Sequence, residues 1–267
     1  MARNIENAIK WLTMAAEHDS IDGMIKLSDL LYPEKAEEAK KWLRKAIEAG
    51  SQEAIEKLKL IEAQEGYKSE RFGLVKLGSI IKFGNYPQNT KDKKEPIEWR
   101  VLAVKGGKAL VISQYALDCK KYNEKRESTS WEKCTLRKWL NSDFLNSAFD
   151  STEQNLIQVS NVTADKNPKS STDQGNDTKD KVFLLSVKEA EQYFKNDEDR
   201  ECNPTKFDIN NGAYQYKGRC WWWLRSLGDY RRNPTLVDPS GLVDYYGSGV
   251  GSNYGEVRPA LWINLKS

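Results

Sequence analysis

The feature that most constrains the fold is a repeat near the N-terminus. "AIKWLTMAAEHDSIDGMIKL", beginning at Ala8, lies over "AKKWLRKAIEAGSQEAIEKL", beginning at Ala39, a step of 31 residues. Trp11 then matches Trp42, Leu12 matches Leu43, Ala15 matches Ala46 and Leu27 matches Leu58. From Ile5 to about Gln64 there are no β-branched runs, and Ile9, Leu12 and Ala16, then Met24, Leu27 and Leu31, recur at helical spacing. Each repeat therefore reads as a helix, a turn at Asp19-Ser20 or Gly50-Ser51, and a second helix. Two such units bury little apolar surface by themselves, so the module is expected to pack on the rest of the chain or on a partner. Trp11 and Trp42 read as helix-packing residues, and His18, the single histidine, as a solvated turn residue.

After Gly66 the texture changes to short apolar runs broken by Gly, Pro and polar turns, which divides the chain into residues 1–68 and 69–267. "SIIKFGNYPQ" reads as a strand, and "EWRVLAVKGGKALVIS" as an antiparallel hairpin over residues 99–104 and 109–112, with positive φ at Gly106-Gly107. Helices interrupt the strands. "CTLRKWLNSDFLNSAF" sets Leu136, Trp139, Leu140 and Phe144 on one side; Ser151 with Gln154, and Ser186 with Glu189, form capping boxes. Residues 163–180 have almost no apolar side chain and read as a long solvated loop. "TLV" and "LVDYY" flank a type I turn at Asp238-Pro239-Ser240-Gly241, and Pro259 makes "EVRPALWINL" an edge or irregular strand.

Catalytic apparatus is mostly absent from the pattern. His18 lies far in sequence from the Trp-rich body, which leaves no Ser-His-Asp or Cys-His unit there. Cys119, Cys134, Cys202 and Cys220 show no C-x-x-C spacing and read as buried free thiols, with no metal site and no cofactor. The net charge of +3 supports no nucleic-acid footprint. No apolar stretch reaches membrane length and no signal peptide stands at the start, so a cytoplasmic protein without a membrane partner is expected. "GSGVGSNYG" lacks the G-K-[ST] ending and the following helix of a phosphate loop, which argues against phosphate there. In "CWWWLRS", alternation sends Trp222 to the face opposite Trp221 and Trp223; the tryptophans read as structural, and Arg225 and Arg258 as partners of internal carboxylates.

One segment draws on a different alphabet. "GDYRRNPTLVDPSGLVDYYGSGVGSNYG", residues 228–255, contains no Lys, Glu, Gln, Met or Trp. Tyr230, Tyr245, Tyr246 and Tyr254 offer rigid amphipathic surface, and Asn233, Ser240, Ser248, Ser252 and Asn253 adaptable hydrogen bonding, which is paratope chemistry. Arg231 and Arg232 add charged anchors. Asp229, Thr235, Asp238 and Asp244 complete the candidate contact set, although aspartates at such positions commonly serve the turn itself.

Two resemblances sharpen these expectations. Residues 4–64 resemble the Sel-one-like repeat, a relative of the tetratricopeptide repeat, with Asp19 where the turn glycine normally stands. "IIKFGNYPQ", "EWRVLAV", "ALVISQYALDC", "TLRKWLNSDFLNSAF", "DKVFLLSVKEAEQYF", "WWLRS" and "VRPALWINL" occur in the order of an uncharacterised bacterial domain family, over about residues 73–265. That family looks like a C-type-lectin fold of the formylglycine-generating-enzyme type, and the W-W-L-R-S to V-R-P-A-L-W arrangement resembles the variable proteins of diversity-generating retroelements. The resemblance implies an α+β C-type-lectin-like domain behind a helical repeat module, with a variable segment at residues 229–256. It also implies a source for the alphabet, because adenine-directed mutation of Asn codons leaves codons ending in C or T, and none of these encodes the five missing residues.

The enzyme namesake depends on two closely spaced cysteines, and no such pair stands in this sequence. The expected function is accordingly non-enzymatic binding of a macromolecule, a protein by preference, while the helical repeats bind a second protein. An enzyme of the formylglycine-generating or oxidase type, and an adaptor working through the repeats alone, are the alternatives.

Overall fold

In the computed structural model, residues 2–32, 34–72 and 75–265 are described. The chain divides into two compact units, Met1–Gly73 with Leu265–Ser267, and Leu74–Asn264. The first holds four helices, α1 (Ala2–Glu17), α2 (Ile21–Leu31), α3 (Ala36–Glu48) and α4 (Gln52–Phe72), each packed on the next. Its core gathers Ala16, Met24, Leu27, Leu31, Leu43, Ala46 and Ile61.

The repeat is physical down to single hydrogen bonds. Ser20 N–H reaches Ala15 O at 3.0 Å, and Ser51 N–H reaches Ala46 O at 2.9 Å. Both serines then cap the next helix, accepting from Gly23 N at 3.1 Å and Ala54 N at 3.2 Å. Closing each helix this way needs a left-handed residue, and Asp19 (φ 61°) and Gly50 (φ 92°) supply it at matching positions. Trp42 packs against this core as expected, half-buried and under Lys45, whereas Trp11 is 68% exposed. His18 is exposed in the turn after α1.

The second unit is mixed α+β. Its strands are β1 (Ile80–Pro87), β2 (Lys94–Lys105), β3 (Lys108–Ser113), β4 (Asp118–Cys119), β5 (Ser160–Val162), β6 (Thr178–Asp180), β7 (Val182–Phe183), β8 (Trp222–Leu227), β9 (Pro234–Val237), β10 (Val243–Asp244), β11 (Glu256–Val257) and β12 (Ala260–Asn264). One sheet runs β1-β2-β3-β12-β7, a second runs β10-β9-β8-β11-β4, and β5 pairs with β6. The β2–β3 hairpin turns at Gly106 and Gly107, both at positive φ, as a two-residue connection between right-twisted strands requires. The helices α5 (Thr135–Trp139), a π turn (Leu140–Phe144) and α6 (Leu145–Ala148) run on from one another. They are followed by α7 (Ser151–Leu156), α8 (Val187–Tyr193), α9 (Asp197–Arg200) and α10 (Lys206–Asn210).

Several expectations move. The Ser186–Glu189 capping box is present, but the other forms one residue earlier, between Asp150 and Glu153. Asp150 takes the role because its carboxylate accepts the Glu153 N–H at 2.8 Å, which leaves Ser151 inside the helix. Pro259 does not put its strand at an edge: β12 lies between β3 and β7, and the proline falls in the break where the chain passes from one sheet to the other. Residues 163–177 are a loop as expected, but it is not solvated throughout and residues 178–180 are a strand. Asn167, Gln174, Thr178 and Asp180 are buried, and the segment begins and ends in the β5–β6 pair.

Arg225 meets two carboxylates as expected, Glu189 and, at 3.1 Å, Asp165. Arg258 does not. Its Nε donates to Ser113 O at 3.0 Å, and its guanidinium lies over Trp222 and Phe194 at 5.0 and 5.4 Å from the ring centres.

A candidate binding surface and a buried thiol and carboxylate cluster

The candidate surface starts from β8. Every residue of this strand is buried, because its sheet neighbours are β9 and β11 and both faces are covered. The indole N–H of Trp222 reaches Arg200 O at 3.1 Å, and that of Trp223 reaches Lys120 O at 3.0 Å, so the platform beneath the segment is rigid.

From Leu227 onward the backbone of the segment is held by residues outside it. Asn167 Nδ2 donates to Leu227 O and Tyr245 O at 3.0 and 2.8 Å. Ser170 Oγ donates to Gly228 O, and Thr172 Oγ1 to Asp229 O. Gln174 Oε1 accepts from Leu227 N at 2.6 Å. On the return, Val250 N reaches Arg232 O at 2.8 Å, Asn123 N reaches Val250 O at 2.9 Å, and the Cys119 thiol reaches Asn253 O at 2.9 Å. The polar loop therefore acts as a clamp, and this is why so few of its residues needed to be apolar.

With the backbone fixed, the side chains separate by role. Tyr230, Tyr246 and Tyr254 are 69%, 64% and 58% exposed, and Asp229, Arg232, Ser240 and Asn253 are exposed as well. Arg231, Asn233, Ser248 and Ser252 are half-buried; Arg231 is tied to Asp173. Tyr245 is half-buried, and its hydroxyl donates to Glu191, a hydrogen bond that with some burial pushes the phenol up to about 12. Asp238 and Asp244 serve their turns, accepting from Ser240, Leu242, Tyr246 and Gly247 N–H groups. Thr235 leaves the contact set, because it is fully buried in β9 with its hydroxyl on Ser226 O.

The candidates do not form one patch. Residues 229–233 and 246–254 share one end of the β9–β10 hairpin; Asp238 and Ser240 turn at the other end, where Arg200 Nε grips Gly241 O. At the first end Arg232, Asn233 and Ser252 line a cavity of about 340 Å³ together with Arg126. Arg126 had no sequence signal, since it stands in a charged run far upstream.

A second feature was not legible at all. Cys202 and Cys220 are separate in sequence but antiparallel partners in the fold, with Cys220 N on Cys202 O at 2.8 Å. The closely spaced pair missing from the sequence thus exists in space. Burial pushes the Cys202 thiol up, but hydrogen bonding from Cys220 and the Arg258 charge outweigh it and lower the group, while Cys220 is raised.

Nearby, Asp208 and Glu256 have no exposed surface. Among the described residues both Asp208 oxygens and Glu256 Oε2 have no hydrogen-bond partner, while Glu256 Oε1 accepts from Tyr214 N at 2.7 Å. Burial and the Asp118 charge push Asp208 up to about 8; burial and the Asp208 charge push Glu256 up to about 9. Asp118 itself is well partnered by Tyr86, Lys120 and Asn211. This cluster holds protons at neutral pH. Among the described residues, no group of three or more His, Cys, Asp or Glu is arranged to hold a metal ion, and no helix is long and apolar enough to cross a membrane.

The chain belongs to the family described as Domain of unknown function (DUF6273), which matches residues 106–265, more than half of its length and all of the candidate surface. No curated protein and no solved structure matches the chain.

Proposed function

We propose that this member of the family is a non-enzymatic binding protein that presents residues 229–254 to a macromolecule, a protein by preference. The observation that carries the reading is the contrast between backbone and side chain. The segment's backbone is tied down by the 163–177 clamp and by Asn123 and Cys119, while three tyrosines stand more than half exposed above it. Exposed aromatics on a preorganised backbone lose little freedom when they bind, which is how paratopes gain affinity. The same proposal extends to a C-type-lectin-like scaffold, diversification of the segment by a retroelement, and a second protein contact on the helical module, where Trp11 offers an exposed aromatic.

The test is to sequence the 3′ part of the gene and its flanks across isolates. The reading expects differences confined to codons for exposed positions such as Tyr230, Arg232, Tyr246, Asn253 and Tyr254, with buried Thr235, Val237 and Val250 constant. It also expects an adenine-marked near-copy beside a reverse transcriptase. Differences spread evenly over buried and exposed codons would sink it.

A second reading, thiol chemistry of the formylglycine-generating or oxidase type, draws support from the Cys202–Cys220 pair. Cys202 is only 2% exposed, so this reading requires an opening of the fold. An alkylation rate at Cys202 no faster than at buried Cys134 would remove it.

A further inference from the structure

Most arginines of the second unit face a partner. Arg100, Arg137, Arg200, Arg219, Arg225 and Arg231 each meet a carboxylate, and Arg258 meets carbonyls and rings. Among the described side chains, Arg126 and Arg232 alone of the arginines make no internal hydrogen bond, ion pair or ring contact. These two line the same cavity, and no carboxylate lines it with them.

The rest of the wall is backbone and small polar groups. The N–H groups of Gly249 and Gly251 donate to nothing among the described residues, although Gly251 is buried. Gly251 also makes room for Arg126: a Cβ there would lie 2.7 Å from Arg126 Cγ and 3.0 Å from its Nε. The arginine stem thus passes close over the glycine, where any larger residue would displace it.

Two unneutralised guanidiniums beside one cavity repel each other, and an anion between them converts that repulsion into attraction. The planar donor fork of arginine matches tetrahedral oxyanions, and free backbone N–H groups add further donors. We propose that the cavity is a receptor for a compact oxyanion, a phosphate or sulfate group carried by the ligand, held by Arg126 and Arg232 against residues 249–252. At about 340 Å³ there is space for the group and part of the moiety that bears it. The sequence argued against a phosphate loop because no helix N-terminus follows the glycines. That exclusion holds for a helix-based site, but the donors here are side chains brought from a distant segment.

The assignment rests on this face being the ligand-binding one, and a titration separates the two ideas. Inorganic phosphate and inorganic sulfate are each added to the ¹⁵N-labelled full chain while amide shifts are followed. Saturable shifts at Gly249, Gly251 and Ser252 are expected, and the tighter ion names the group on the ligand. Arg126→Gln and Arg232→Gln should each weaken binding about tenfold. Gly251→Ala should weaken it with both charges still present, which nonspecific charge attraction would not do. The ion titration needs no macromolecular partner, so the anion site stands even if the macromolecular reading falls. No saturable shift, or shifts of equal size in the Arg126→Gln and Arg232→Gln proteins, would overturn the assignment.

Discussion

Replacing Asp208 by asparagine probes the buried carboxylate cluster through stability. Asp208 lies in α10 with no exposed surface and, among the described residues, no hydrogen-bond partner for either oxygen, so its charged form loses water without compensation. Its carboxyl is pushed from an ordinary 3.8 to about 8, by burial first and by the Asp118 charge second. The folded pKa is above the unfolded one, so its stabilising contribution is complete below about pH 4 and is lost as pH rises toward about 8. At about pH 7 the unfolded carboxyl has released its proton and the folded one has kept it. At about 1.4 kcal/mol per pH unit, that difference costs folding about 4 kcal/mol as an upper bound, because Glu256 and Asp118 share the proton balance.

The Asp208→Asn change removes the ionisation, offers an amide N–H₂ to neighbouring carboxylate oxygens, and keeps the volume. The variant should therefore be more stable than wild type by about 2 to 4 kcal/mol near pH 8, with little difference near pH 4. Urea unfolding followed by fluorescence of buried Trp99, Trp222 and Trp223 reads the second unit directly. A wild type that gains stability between about pH 5 and pH 8, or a variant with an unchanged pH slope, would refute the reasoning.

Three further outcomes follow from single contacts. Asp19→Gly should stabilise the helical unit by about 0.5 to 1 kcal/mol, since glycine holds the left-handed turn without strain, as Gly50 does; thermal unfolding measures it. Gly255→Ala should destabilise the second unit by about 2 to 4 kcal/mol in urea, because a Cβ there would stand 1.9 Å from Trp223 Nε1 inside the platform. Arg225→Met should cost about 3 to 5 kcal/mol near pH 7 by leaving Asp165 and Glu189 unpaired, and part of that loss should return near pH 4, as a stability series across that range would report.

The sequence by itself determined what depends on neighbours along the chain. The 31-residue period placed four helices and both turns, down to the shared left-handed position at Asp19 and Gly50. Gly106-Gly107 placed the hairpin, and the polar signatures at Asp238 and Ser186 placed a turn and a cap, because short-range hydrogen bonds and backbone sterics settle all of these. Three of the four tyrosines in residues 228–255, the segment of altered alphabet, stand more than half exposed, and Tyr245 is half-buried on Glu191.

Only the tertiary structure decided what depends on residues far apart. Thr235 belongs to the same segment but falls on a buried strand, and the polar loop is a clamp because its amides and hydroxyls find carbonyls some sixty residues on. Arg126 reaches its cavity, Cys202 meets Cys220, and Asp208 meets Glu256 through sheet order and loop return, which no local periodicity encodes. Desolvation acts through that packing as well. Asp238 accepts from N–H groups of its own turn, which is a local matter, whereas Asp208 is pushed up by burial that only the packing of distant segments produces.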